Sequence, residues 1–358
     1  MSFVVGREGD TPADRPTGRV GTHRALDGSA GAGLYLDLDG PHAVLVVGKR
    51  GYGKSYTLGV LAEELARTPP IAPVVVDPMG AFAGLAETAT DDPVPAEVVG
   101  APRVDPAALD PRSWCALVGL DPEGGPGGLL WQAAQGTASL PAMRRALESA
   151  DAPGRHRRAA RNHLALAASW DVFDPAGLDA ADLGSGAVTV LDLSGLAGAP
   201  MNTVVRAVGE TLYRTRVADS LDRLPWLLVD EAHAFFNGVA GPELERILTR
   251  GRAPGVSLVL ATQRPSSVPA VGVSQADLLC AHRLTSQADI EALRAAQPTY
   301  MDGSLTERMP GEPGEVLVVD DATETVHAAT VRRRATPHGG DSPIASDCPG
   351  ANDRSPGG

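Results

Sequence analysis

Apolar residues fall along this chain in two rhythms. The first is a set of short unbroken runs: HAVLVVG (42–48), APVVVDP (72–78), AVTVLDLSG (187–195), PWLLVD (225–230), VSLVLATQ (256–263) and LLCAHRL (278–284). Runs of this length, rich in Val and Leu, suit strands buried on both faces of a parallel sheet. The segment LYLDLD (34–39) just before them is also strand-like. The second rhythm is helical. SYTLGVLAEELAR (55–67) brings Leu58, Leu61, Ala62 and Leu65 to one face, and MNTVVRAVGETLYRTRVADS (201–220) and SQADIEALRAA (286–296) are also read as helices. GEVLVVD (314–320) and TVHAATVRR (325–333) predict a hairpin at the edge of the sheet. Strand alternating with helix argues for an α/β fold of three layers around a mainly parallel sheet.

Three segments fall outside these rhythms. Residues 1–33 are rich in Gly, Pro, Asp and Arg and are expected to form an irregular lead-in. From about 90 to 185 the chain starts Pro-rich, passes through DPEGGPGG, and then takes helical spacing from Leu129 to Ser169. This predicts a largely helical insertion in a core domain of residues 34–335. The Pro, Gly, Ser and Asp-rich stretch 336–358 is expected to be a disordered tail.

The runs acquire a chemistry at their C-terminal ends. Gly48-Lys49-Arg50-Gly51-Tyr52-Gly53-Lys54-Ser55 fits the phosphate-binding loop G-x-x-x-x-G-K-[ST], with a buried strand before it and a helix after it. Glycines let successive backbone N–H groups turn inward toward phosphate oxygens, and the helix N-terminus adds its positive dipole end. Gly48, Gly51, Tyr52, Gly53, Lys54, Ser55 and Tyr56 are therefore the expected contacts to ATP. Lys54 would reach the β- and γ-phosphates, and Ser55 would ligate Mg²⁺. The strand WLLV leads into Asp230 and Glu231. Asp230 would support the Mg²⁺, and Glu231, on the other side of the pleat, would act as general base toward water. Gln263, ending the next run, stands where a polar side chain can touch the γ-phosphate. Between these motifs lies TRGRAPG (249–255), in which Arg252, ahead of Arg250, is the candidate to reach a neighbouring subunit's γ-phosphate.

Composition narrows the partners. The net charge is −13, and of 31 basic residues only Lys49 and Lys54 are lysine, both in the phosphate loop. That balance weighs against broad non-specific binding of nucleic acid, although a local basic strip remains open to it. The densest basic cluster is Arg144, Arg145, Arg155, His156, Arg157, Arg158 and Arg161. It either tracks a phosphate backbone or is a solvated helix face; Arg332 to Arg334 read as an ordinary solvated run. Cys115, Cys280 and Cys348 lack metal-type spacing. With no leader-like start and no apolar run of about 18 residues, the expectation is a cytoplasmic chain without a membrane span.

Taken in order, GKRGYGKSYTLGVLAEELA, VVVDPMGAF, VTVLDLSGL, LLVDEAHAFF and GRAPGVSLVLATQRPS resemble the HerA/FtsK superfamily of DNA-pumping P-loop ATPases, and within it the HerA-like central domain. Those blocks cover most of residues 34–335 outside the insertion. The resemblance implies a RecA-like ASCE fold with Lys54, Ser55, Asp230, Glu231, Gln263 and Arg252 at the matching functional positions. It further implies a homo-oligomeric ring, hexameric in the family, double-stranded DNA in its pore, and a NurA-type nuclease in repair or end processing. The chain departs from the family in three places: the short segment before the first strand, where a β-barrel is usual, Ala81 in place of an acid, and Ala253 in place of a base. Two functions stay open, a helicase-like DNA translocase and a nucleotide-dependent switch acting on a protein partner.

Overall fold

The computed structural model describes residues 2–7, 14–25, 28–88, 92–295, 297, 299–300 and 304–339. Twelve strands occur among them: β1 (Ser2–Val5), β2 (Thr17–Arg24), β3 (Ala30–Asp37), β4 (Ala43–Val47), β5 (Ile71–Asp77), β6 (Ala96–Gly100), β7 (Val188–Asp192), β8 (Leu224–Val229), β9 (Ser257–Thr262), β10 (Leu278–Ala281), β11 (Glu315–Asp320) and β12 (Thr325–Val331). They form one sheet in the order β1-β3-β2-β12-β11-β10-β4-β9-β8-β5-β7-β6. From β10 to β6 every pairing is parallel. The flank from β11 to β3 is antiparallel.

The helices are α1 (Lys54–Ala66), α2 (Pro111–Leu117), α3 (Gly125–Gly136), α4 (Leu140–Ser149), α5 (Gly154–Ala168), α6 (Ala180–Leu183), α7 (Gly198–Val217), α8 (His233–Phe236), α9 (Gly241–Arg250), α10 (Ala270–Ser274), α11 (Gln287–Ala295) and α12 (Leu305–Arg308). The unbroken apolar runs are explained by what covers them. In β4, Val44 and Val46 join Leu58, Leu61 and Leu65 of α1 in one core. Their neighbours Leu45 and Val47 join Val204, Val208 and Leu212 of α7 in another on the opposite face. A strand with both faces covered has no polar side, which is why the alternation vanished from the sequence. Each Val or Leu so buried contributes about 1.5–3 kcal/mol. Of the expected helical insertion at 90–185, residues 96–100 instead form β6, paired with β7 in the core sheet; the helices after it add Trp114, Leu130, Met143, Leu147 and Leu164 to the α7 face, so they enlarge that core.

Four other expectations need correction. The first 33 residues are not an irregular lead-in, because β1, β2 and the start of β3 lie there. The hairpin of β11 and β12 forms, but it is interior: β12 pairs with β2, and the sheet continues to β1. Of the expected tail, Thr336 is buried and its hydroxyl donates to Glu63 Oε1 at 2.7 Å; residues 340–358, with Cys348, lie outside the described residues. The Arg332–Arg334 run is not simply solvated. Arg332 donates to Glu63 and Glu64 of α1 at 2.7 and 2.6 Å, and the Arg334 side chain is 2% exposed. Strand β2, built mostly of Gly, Arg and Thr, carries little apolar signal, and a charge run becomes interior only when its partner acids face it.

Candidate nucleotide-binding site

The parallel register gathers the candidate residues at one edge of the sheet. Val47, the last residue of β4, lies opposite Thr262, the last of β9, and Val229 of β8 lies opposite Leu260. The phosphate loop, Gln263 and the Asp230–Glu231 pair therefore leave the C-terminal ends of three adjacent strands, with β9 between the other two.

The phosphate loop is fixed by its glycines and by a residue the sequence reading missed. Gly53, at the head of α1, has φ of 111°, a conformation that a side chain would strain. A Cβ on Gly48 would lie 2.6 Å from His282 Cβ, so the loop rests directly on that histidine. His282 is fully buried, its Nδ1 donating to the Glu315 carbonyl at 2.7 Å and its Nε2 facing Thr57 Oγ1 of α1 at 3.0 Å. Burial pushes the imidazole down to about 4, so it is neutral, and the Nδ1–H tautomer leaves Nε2 to accept from Thr57. His282 follows β10 by one residue, and only the parallel pairing of β10 with β4 brings it beneath the loop.

Lys54 is 5% exposed, and its amine arches back to the Lys49 carbonyl at 3.5 Å. Burial lowers its pKa, against the opposing pull of Glu231 and Asp230. Lys49 instead lies over the Tyr52 ring, 4.3 Å from its centroid. Ser55 Oγ donates to Asp230 Oδ2 at 2.7 Å. Burial raises the pKa of Asp230, which is 1% exposed, and the Ser55 hydrogen bond works the other way. A hydroxyl and a carboxylate thus meet at the head of α1, beside a buried amine. That donor set suits Mg²⁺, which keeps several waters and completes its shell with substrate phosphates. Glu231 has φ of 46°, and its Oε2 is buried without a hydrogen-bond donor among the described residues.

Gln263 is half-buried at the end of β9, in the expected place between the phosphate loop and the acidic pair. Tyr56 is engaged from outside: its hydroxyl accepts the Arg334 N–H at 2.8 Å, and its ring stands edge-on to His338 at 5.5 Å. Arg252 is the expected residue that the chain does not bring to this edge. It precedes β9 and pairs with Asp277 at 2.9 Å; Asp277 accepts the N–H of Ala43, where β4 begins. That is the opposite end of the sheet from the phosphate loop.

A parallel sheet carrying this loop, with an acidic pair one strand removed, defines the P-loop NTPase class. The family described as the central domain of the helicase HerA matches residues 19–126, which include the phosphate loop and stop short of the acidic pair. None of the functionally curated proteins matches the chain. Among solved structures, VirB4 of Thermoanaerobacter pseudethanolicus superposes with a TM-score of 0.64 at 14% identity, over 90% of this chain and 98% of that one. The bacterial conjugative coupling protein TrwB, in an unbound form, gives 0.58 at 14% identity, over 93% and 97%. TrwB in complex with the non-hydrolysable GTP analogue GDPNP gives 0.56 at 15% identity, over 94% and 99%. These likenesses establish the fold. Among the described residues, no helix is long and apolar enough to cross a membrane.

Proposed function

We propose that this chain binds ATP with Mg²⁺ and hydrolyses it. The observation that carries this reading is the convergence at one sheet edge of the buried Lys54 amine, Ser55 Oγ 2.7 Å from Asp230, and a buried Glu231 oxygen lacking a donor. Lys54 and the loop N–H groups would offset phosphate charge, and Ser55 and Asp230 would hold the Mg²⁺. The ion, when bound, supplies charge stabilisation on the β- and γ-phosphate oxygens. Glu231 takes a proton from the attacking water as its oxygen bonds to the γ-phosphorus and the bond to the ADP oxygen breaks. The TrwB complex with a GTP analogue supports a nucleoside triphosphate as ligand, and titration with ATP and GTP tests the base. In the test, Lys54→Ala abolishes turnover, and Glu231→Gln keeps nucleotide affinity while hydrolysis falls by at least about a hundredfold. Wild-type turnover in either variant defeats the reading.

We further propose that the chain works as a homo-oligomeric ring, hexameric in the form the HerA resemblance suggests, coupling hydrolysis to movement on double-stranded DNA. Three observations support this: the HerA central-domain match, the place of Arg252 away from its own chain's phosphate loop, and the exposed Arg144, Arg145, Arg155, Arg158 and Arg161 on α4 and α5. In a ring, Arg252 acts on the neighbour's nucleotide; in DNA repair or end processing, the partner of the ring is a NurA-type nuclease. Duplex DNA is expected to raise the ATPase rate, with a stimulation that weakens as salt rises. A rate indifferent to DNA but raised by a protein partner would replace the motor with a nucleotide-dependent switch.

A further inference from the structure

Behind Glu231 stands a residue that the mechanism above leaves unused. His233 Nδ1 lies 3.3 Å from Glu231 Oε2 and 3.3 Å from Thr262 Oγ1. The Thr262 hydroxyl also accepts the N–H of Arg264 at 3.0 Å, so it belongs to the turn that carries Gln263. Thr262 is wholly buried, and the next residue after Glu231, Ala232, donates its N–H to the Ala261 carbonyl at 2.8 Å. The turn after β8 is therefore tied twice to the end of β9, once through the backbone and once through the imidazole. Glu231 itself sits in the left-handed region at φ of 46°, where a non-glycine residue is held only by its surroundings. Its Oε2 is shielded from solvent with no donor of its own.

We infer that His233 is a positioning residue: its ring fixes the Glu231 carboxylate against the turn that carries Gln263, so that base and γ-phosphate contact keep one geometry. The inference rests on the reading of Glu231 as the base. A carboxylate on a two-carbon stem has several rotamers, and a general base must stand within hydrogen-bond reach of its water. The imidazole packs beside Oε2 and removes rotamers that would swing the carboxylate toward β9. With Oε2 shut away from solvent beside the ring, the other carboxylate oxygen is left to take the proton of the attacking water. Because the same ring nitrogen meets Thr262, any shift of the Gln263 turn is passed to the base without a change in the phosphate loop.

The test measures kcat, KM and nucleotide affinity separately in the full chain. In His233→Ala the carboxylate loses its backing, and kcat is expected to fall by about ten- to a hundredfold, the cost of misplacing a reacting group. Nucleotide affinity should stay within about twofold, because Lys54 and Ser55 are untouched. His233→Asn, whose amide can occupy the place of Nδ1, should recover most of the lost rate. Thr262→Val keeps the shape of β9 and removes the hydroxyl, so it should lower kcat by less. His233→Ala combined with Thr262→Val should be no slower than His233→Ala alone, since both break one connection. A kcat within twofold of wild type in His233→Ala, or equal losses in the Ala and Asn variants with affinity falling alongside, overturns the inference. If instead Glu231→Gln turns over at the wild-type rate, the reading of the base itself has failed.

Discussion

Glu231 places an acidic side chain where the backbone, at φ of 46°, would suit glycine, and leaves a carboxylate oxygen buried without a donor. Each feature costs stability, and both are tolerable because the turn is over-determined by its neighbours. Glu231→Gly should therefore raise stability by about 1 kcal/mol while abolishing hydrolysis, a trade visible as a higher melting temperature in a dead enzyme. A melting temperature at or below wild type would show that no strain is stored there. At this scale much of the site was legible in the sequence. Asp230–Glu231 and Gln263 directly follow buried strands, and Lys54 and Ser55 open the helix after the loop that leaves β4, so local order gives their positions. His282 and Arg252 were not, because their places depend on which strands become neighbours. His282 also follows a strand, yet its role beneath the loop exists only because β10 lies next to β4.

Among the elements, the segment after β12 shows how a charged run becomes structure. Glu63 of α1 is fully buried, and its carboxylate accepts from Arg332 Nη1 at 2.7 Å, the N–H groups of Ala335 and Thr336 at 3.1 and 3.0 Å, and the Thr336 hydroxyl at 2.7 Å. Those bonds hold its pKa down although burial alone would raise it. The segment then crosses Gly84, where a Cβ would lie 2.3 Å from the Pro337 carbonyl oxygen. Glu63→Ala leaves the buried Arg334 guanidinium without its acid and should cost about 3–5 kcal/mol. Urea denaturation checks this, and a loss below about 1 kcal/mol would mean that the segment contributes no net stability. The central strands and the long helices were legible from apolar rhythm because packing on both sides requires it. The flanking strands β1 and β2 were not: β1 is only four residues long, and the pairing of β2 is carried by backbone hydrogen bonds that Gly, Arg and Thr make as well as Val. The 332–339 segment was hidden for a different reason, since nothing in a run of arginines announces an acid 269 residues earlier in the chain.

Across the whole molecule, two buried histidines at opposite ends of the parallel strands set stability against pH in opposite senses. His282, under the phosphate loop, is held by burial at about 4, below its ordinary value of 6.5. Its contribution is present above pH 6.5 and is lost as pH falls through 4, because the unfolded chain takes up the proton first. His42 lies at the start of β4, between Asp277 at 2.8 Å and Asp37 at 3.6 Å, acids that Arg252 and Arg7 also engage. Burial works to lower its pKa, but the bonds to Asp277 and Asp37 overcome this and push it up to about 9. Its contribution is complete below pH 6.5 and is lost as pH rises through 9. At about 1.4 kcal/mol per pH unit between folded and unfolded values, each histidine accounts for about 3 kcal/mol. The two together predict a stability maximum near pH 6.5, with the alkaline slope belonging to His42. His42→Gln should lower stability near neutrality and flatten the decline between pH 6.5 and 9, leaving the acid side unchanged. Denaturation midpoints measured from pH 5 to 9.5 decide it: a wild-type midpoint that does not fall above pH 7, or an alkaline slope that survives in His42→Gln, would remove His42 from this role. Because Arg252 shares Asp277 with His42, the same variant should leave that arginine more firmly bound to its own chain. Any action of Arg252 on a neighbouring subunit would then weaken, and the ATPase rate of the assembled protein should fall with no change in nucleotide affinity.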